Sequence, residues 1–157
     1  MKIVIHHTVS SRDKTTVQDI DAWHKLRWPD FKGSLGYWVG YHYVITGDGS
    51  VKQTREDIET GAHCIPNVGK LGICLTGNFE IEEPSEKQLS SLQTLLIKLK
   101  SEYNISDNQI YGHRELSRTL CPGKTLMSWI EAYRKLSLVK KLLLLYKKLL
   151  ELFLKGR

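Results

Sequence analysis

An α/β domain with a central mixed β-sheet flanked by helices, followed by a C-terminal amphipathic helix, is the architecture this sequence predicts. Three observations predict it. Ile3-Val4-Ile5 and Leu71-Gly72-Ile73-Cys74-Leu75 are apolar on consecutive positions, as in strands buried on both faces. These runs alternate with stretches of helical periodicity, the mark of an α/β domain. From Leu138 onwards, leucines and lysines recur in a pattern that belongs to a helix rather than to a strand.

The elements follow in order. Ile3-Val4-Ile5 is a strand that ends in His6 and His7. Thr15 and Gln18 read as a capping box, and Val17, Ile20 and Trp23 continue at helical spacing to about Trp28, where Pro29 stops the helix. Residues 30–40 are rich in glycine and aromatics. Tyr41–Ile45 and Ser50–Gln53 flank Gly47-Asp48-Gly49, a hairpin signal. Leu71–Leu75 reads as a central strand, and Ser85 with Gln88 caps a helix whose Leu89, Leu92, Leu96 and Leu99 share one face. A short strand at Gln109-Ile110-Tyr111 leads into Gly112-His113.

With 157 residues the chain fits one domain, and a domain of this size buries roughly 68–70% of the surface of its unfolded chain, so it needs no metal to hold it together. The formal charge of +6 does not mark a nucleic-acid binder, because residues 134–157 carry eight Lys or Arg and one acid and leave the rest at −1. Three cysteines, Cys64, Cys74 and Cys121, are too few for a disulfide scaffold and suit metal-binding or buried roles. The start, Met1 to His7, lacks the roughly 7–15-residue apolar stretch of a secretory signal.

In an open α/β sheet, ligands gather beyond strand ends, so His6, His7 and His113 are expected to converge across the chain. His113 and Cys121 lie eight positions apart on a polar loop that can bend both onto one ion. Two imidazoles and one thiolate suit zinc better than magnesium or calcium, and three protein ligands leave a position for water, as in catalytic rather than structural sites. Adjacent strand residues point to opposite faces, so only one of His6 and His7 can serve, and spacing does not say which. Cys64 as a fourth ligand would close the shell.

The chain resembles the zinc-dependent N-acetylmuramoyl-L-alanine amidases, a family that includes phage lysozyme-type amidases and peptidoglycan recognition proteins. Five motifs in the family's order, spanning about residues 3–133, carry the resemblance. They are Ile3-Val4-Ile5-His6-His7-Thr8, Gly40-Tyr41-His42-Tyr43-Val44-Ile45, Gly61-Ala62-His63, Gly72-Ile73-Cys74-Leu75-Thr76-Gly77-Asn78-Phe79, and Gly112-His113-Arg114-Glu115 through Thr119-Leu120-Cys121-Pro122-Gly123.

The resemblance implies one catalytic Zn²⁺ held by His6, His113 and Cys121, with His7 in packing, and catalytic roles for Tyr41 and Thr119. Lysozyme-type members carry lysine at the position of Thr119, whereas catalytic recognition-protein members resemble this chain in carrying threonine. It implies hydrolysis of the amide between N-acetylmuramic acid and L-alanine in peptidoglycan. Zinc serves such a reaction by polarising a carbonyl and by lowering the pKa of water from about 15.7 to about 7. His63 is expected in substrate binding, with Asn67 and Trp38 as further groove residues. His42 is grouped with them, although strand alternation points it to the other sheet face, where a core role competes. His24 is expected in packing, and Cys74 as a small core residue. The alternatives are a peptidoglycan-binding module that does not cut, which typically lacks the metal cysteine, and a bacterial autolysin in place of a phage endolysin.

The amidase domain is expected over residues 1–136 and a basic amphipathic helix over 137–157. On a helix of 100° per residue the charged side chains of 138–155 fall within about 120°, interrupted by Leu144, and apolar ones fill roughly 200°. That is wider than the roughly 100° stripe of a helix resting on a domain. Apolar runs there never exceed five residues, far short of the roughly 20 of a membrane span. The tail is therefore expected to lie on anionic membranes through Lys140, Lys141, Lys147, Lys148 and Phe153. Packing on the domain, or pairing two copies of an otherwise monomeric chain, is the competing reading. An unsignalled wall hydrolase of this kind would be made in the host cytoplasm and act on the cell wall.

Overall fold

The computed structural model describes residues 1–136; the expected C-terminal helix, with Lys140, Lys141, Lys147, Lys148 and Phe153, lies outside them. Among the described residues five strands form one mixed sheet: β1 (Lys2–His7), β2 (Tyr43–Ile45), β3 (Val51–Gln53), β4 (Lys70–Leu75) and β5 (Ile110–Gly112), in the spatial order β3-β2-β4-β1-β5. β1 runs parallel to both β4 and β5, β2 runs parallel to β4, and among the described residues only the β2–β3 hairpin is antiparallel. The consecutive apolar residues of β1 and β4 are thereby accounted for, since both strands are interior and buried on two faces.

Helix α1 (Val17–Arg27) begins one residue later than the sequence suggests. Thr16, not Thr15, is the N-cap: its hydroxyl accepts from the Asp19 N–H at 3.2 Å, and the Asp19 carboxylate accepts from the Thr16 N–H at 2.8 Å. A carboxylate is a stronger acceptor than the Gln18 amide and is favoured at the positive end of the helix dipole. Thr15 instead donates to Ser10. The Ser85–Gln88 box opens α2 (Glu86–Tyr103) as expected. A third helix, α3, occupies residues 124–136 of the described chain.

The two faces of the sheet are used differently. Ile3, Ile5, Tyr43, Ile45, Leu71 and Ile73 point to one side and pack under α2 and α3 in the main core. On the other side Val44 packs with Ile20 of α1 and Val39, a much smaller cluster. His6 shares this second face, because it pairs in register with Cys74 and Cys74 with Val44. Stability is concentrated on the α2–α3 face, and the thinly covered face is free to form a groove.

The leucine periodicity of α2 gives a direct test. Leu96 is fully buried while its neighbour Ile97 is 58% exposed. Leu96→Ala is expected to cost about 2–5 kcal/mol of unfolding free energy, and Ile97→Ala no more than about 0.5 kcal/mol. Urea unfolding midpoints measure both, and equal losses would contradict the assigned core face.

Candidate metal centre

Three chain segments meet at the C-terminal ends of the parallel strands. His6 is next to last in β1, His113 opens the 3-10 turn that follows β5, and Cys121 ends the loop from that turn. The register Ile5↔Gly112 puts His113 beside His6, with ring centroids 4.5 Å apart. Cys121 is brought in by its own loop. Its carbonyl accepts from the Arg114 N–H at 2.7 Å, its N–H donates to the Thr119 hydroxyl at 3.2 Å, and the Arg114 guanidinium bridges the Leu120 carbonyl and Glu80.

One ligand atom each from His6, His113 and Cys121 falls within 4.8 Å of the others. Cys121 Sγ lies 3.6 Å from His6 Nδ1, so Nδ1 is the His6 atom that faces the thiol. Two nitrogens and a sulfur at this spacing fit a borderline-soft, tetrahedral ion such as zinc. Among the described residues no fourth ligand joins them: Cys64 is turned to Lys70, whose Nζ is 3.6 Å from its sulfur.

Burial sets the protonation of the trio. His6, 1% exposed, is held well below the usual imidazole pKa by burial first and then by the neighbouring His63, His113 and His7. His113 is lowered by burial and then by Lys70. Burial pushes the Cys121 thiol up to about 12, against the opposing pull of the His7 N–H, 3.4 Å from Sγ, and of Arg114. All three ligands are therefore neutral at pH 7 without a cation, and a metal ion has to displace the thiol proton.

A groove of about 540 Å³ opens over the trio, walled by His24, Arg27, Trp28, Tyr41, Asn67 and His113. The Tyr41 ring is 5.1 Å from that of His6. Burial, followed by the proximity of Cys74 and Cys121, raises its phenol well above the usual pKa, so the hydroxyl remains a proton carrier. His24 was expected in packing alone; its Nδ1 does accept the Gly40 N–H, yet its ring also forms groove wall. Arg27 and Trp28 carried no signal in the sequence beyond closing a helix.

Other expected site residues fall differently. Asn67 reaches the groove while its Oδ1 accepts from the N–H groups of His63 and Cys64 at 2.9 and 2.8 Å. Thr119 is not in the groove wall; its hydroxyl is the acceptor that shapes the Cys121 loop. Trp38 does not reach the groove: its indole N–H donates to the Pro29 carbonyl, and Lys25 and Lys32 lie 4.4 and 4.5 Å over its ring. His42 cannot bind a groove ligand. It is fully buried, with Nδ1 accepting from Gly72 N–H at 3.0 Å and Nε2 donating to the Glu59 carbonyl at 2.9 Å. His63 borders the groove but spends Nδ1 on His6, 3.1 Å away. His7 points to the core face, where its Nδ1 accepts from the Phe79 N–H.

A family model described as N-acetylmuramoyl-L-alanine amidase matches residues 1–124. Peptidoglycan-recognition protein SC1a/b of Drosophila simulans is 32% identical over 140 residues, which cover 83% of this chain and 71% of that protein. Among solved structures, the endolysin N-acetylmuramoyl-L-alanine amidase LysCS from Clostridium intestinale is similar at a TM-score of 0.71 and 33% identity, over 83% of this chain and 80% of that one. The ectodomain complex of peptidoglycan recognition proteins LCa and LCx with bound tracheal cytotoxin is similar at a TM-score of 0.68 and 31% identity, over 82% of this chain and 79% of that chain. Fold, strand-end cluster and sequence match agree, and the chain belongs to the N-acetylmuramoyl-L-alanine amidase family.

Proposed function

We propose that this chain is a zinc-dependent amidase that hydrolyses the bond between the lactyl group of N-acetylmuramic acid and L-alanine in peptidoglycan. The observation that carries the reading is the convergence of two imidazoles and a thiol on the floor of an open groove, with no fourth protein ligand among the described residues. Zinc held by His6, His113 and Cys121 would supply a Lewis acid and an activated water.

The chain's own residues do the rest. Tyr41, kept protonated by burial, acts as a hydrogen-bond donor toward the oxygen on which charge develops, and its raised pKa argues against a role as base. The groove walls position the stem peptide next to the trio, and Thr119 contributes by holding the Cys121 loop. A phage endolysin, made in the host cytoplasm and acting on the wall, is the setting we favour. The likeness to the Clostridium intestinale endolysin supports it.

Incubation with purified peptidoglycan and mass spectrometry of the products tests the activity. Peptides with a free N-terminal L-alanine are expected, and a chelator is expected to stop their release until zinc is restored. Binding without release, or cleavage of the glycan itself, would leave a binding module or another hydrolase. Tyr41→Phe is expected to lower kcat by about 10²–10³-fold, the usual loss for one donor to a developing oxyanion, with zinc content unchanged; a kcat equal to that of the parent would remove Tyr41 from the reaction.

The tail, read from sequence as a basic amphipathic helix, is proposed to bind anionic membranes, with about 1 kcal/mol from each Lys or Arg near the surface. Truncation after Ser137 is expected to abolish leakage of anionic liposomes while hydrolysis of purified peptidoglycan persists. Unchanged leakage would point to packing or pairing of the helix instead.

A further inference from the structure

We propose that His63 is a positioning residue for the metal centre, accepting a hydrogen bond from His6 so that the His6 ring presents Nδ1 to the ion. The inference rests on the zinc reading above and goes beyond it by giving His63 a task other than contact with substrate.

The two nitrogens of His6 face different partners. Nδ1 lies 3.6 Å from Cys121 Sγ, on the side where the three ligand atoms meet. Nε2 lies 3.1 Å from His63 Nδ1. A neutral imidazole carries one proton, and a nitrogen that offers its lone pair to a metal cannot hold it. The proton of His6 therefore sits on Nε2, and a buried N–H requires an acceptor. His63 Nδ1 is the atom within reach, which places the proton of His63 on its own Nε2. Metal-ligating histidines nearly always donate their second N–H in this way, and the acceptor fixes both ring orientation and ligand basicity.

The surroundings of His63 are built to keep its ring still. A Cβ at Gly72 would come within 2.6 Å of His63 Cδ2 and 2.7 Å of Nε2, and one at Gly61 within 2.6 Å of Cδ2. The imidazole thus lies directly on the bare backbone of two glycines from different segments. Its own backbone N–H is held by Asn67 Oδ1. Its ring meets that of His42 edge-on, with centroids 5.6 Å apart, and His42 is itself locked by bonds to Gly72 and Glu59. His63 Nε2 is shut off from solvent and makes no hydrogen bond of its own, so the proton this tautomer places there is left unpartnered, a cost set against the acceptor that Nδ1 gives to His6. With Nδ1 engaged and Nε2 buried, neither nitrogen is presented to a ligand in the groove.

Two substitutions in the full chain separate this role from packing. H63F keeps a ring of similar size and removes the acceptor; H63N removes the ring and returns an acceptor oxygen near the position of Nδ1. Zinc affinity, measured by competition with a chromophoric chelator, is expected to fall about 10–100-fold in H63F and to stay close to that of the parent in H63N. The visible spectrum of the cobalt-substituted protein should be perturbed in the same order. Equal loss in both variants, or parental affinity in a folded H63F, would overturn the proposal. Should H63F fail to fold, nitrogen-detected imidazole NMR on the zinc-loaded parent decides. Protons on Nε2 of both His6 and His63 are expected, and a proton on His63 Nδ1 would refute the assignment. A parent chain without zinc affinity would remove the metal reading and this proposal together, whereas affinity retained in H63F would remove this proposal alone.

Discussion

The parallel pairing of β1 with its two neighbours is the constraint from which the site follows. β1 is hydrogen-bonded to β4 on one side and β5 on the other, and all three strands point the same way. Their C-terminal ends therefore share one edge of the sheet, where loops leave the strands and ligands collect. His6 and His113, more than a hundred positions apart, become neighbours because Ile5 is in register with Gly112. A slip of one residue would put His7 in the place of His6 and reverse every inward and outward side chain of the strand. The apolar residues Ile3 and Ile5, buried among Leu71, Ile73 and Ile110, make such a slip costly. The core thus sets the geometry of a site on the opposite face of the sheet.

Cys121 is positioned by a different kind of force. No strand carries it, and the loop from His113 is closed by polar bonds. The Arg114 N–H meets the Cys121 carbonyl, the Thr119 hydroxyl meets the Cys121 N–H, and the Arg114 guanidinium ties Leu120 to Glu80. The His7 backbone N–H then reaches the sulfur itself. Hydrophobic register and a hydrogen-bonded loop together bring three ligands to one point. Either alone would leave the trio incomplete.

Much of this was legible in the sequence, and the division has physical causes. Interior strands announce themselves by unbroken apolar runs, and α2 by its leucine spacing and its Ser85–Gln88 box, because these signals are local. The pairing of His6 with His113 and Cys121 was legible through motif order. What the sequence concealed depends on which neighbour arrives from far away. Thr15 and Thr16 are equivalent as letters, and the choice fell to Asp19 over Gln18. Trp38 resembles a groove aromatic until two lysines are found on its ring. His42 and His63 are both histidines beside a glycine-rich segment. Only the fold shows one locked to backbone and the other turned to His6.

Burial at the centre has one further consequence, for how the fold tolerates its own site. Desolvation penalises charge, so it drives the imidazoles of His6 and His113 down and the Cys121 thiol up, leaving three neutral donors. A cluster of this kind adds no buried charge to the folded state before a cation arrives, and the large penalty for an unpaired buried ion never falls due. The same burial strengthens attraction to a divalent ion once it enters, because the medium around the donors screens poorly. Only the thiol must then give up a proton, and the His7 N–H and Arg114 already stand where a thiolate would need them. The site is thus compatible with a stable metal-free fold and yet arranged for a cation, and this follows from where β1, β5 and one polar loop end.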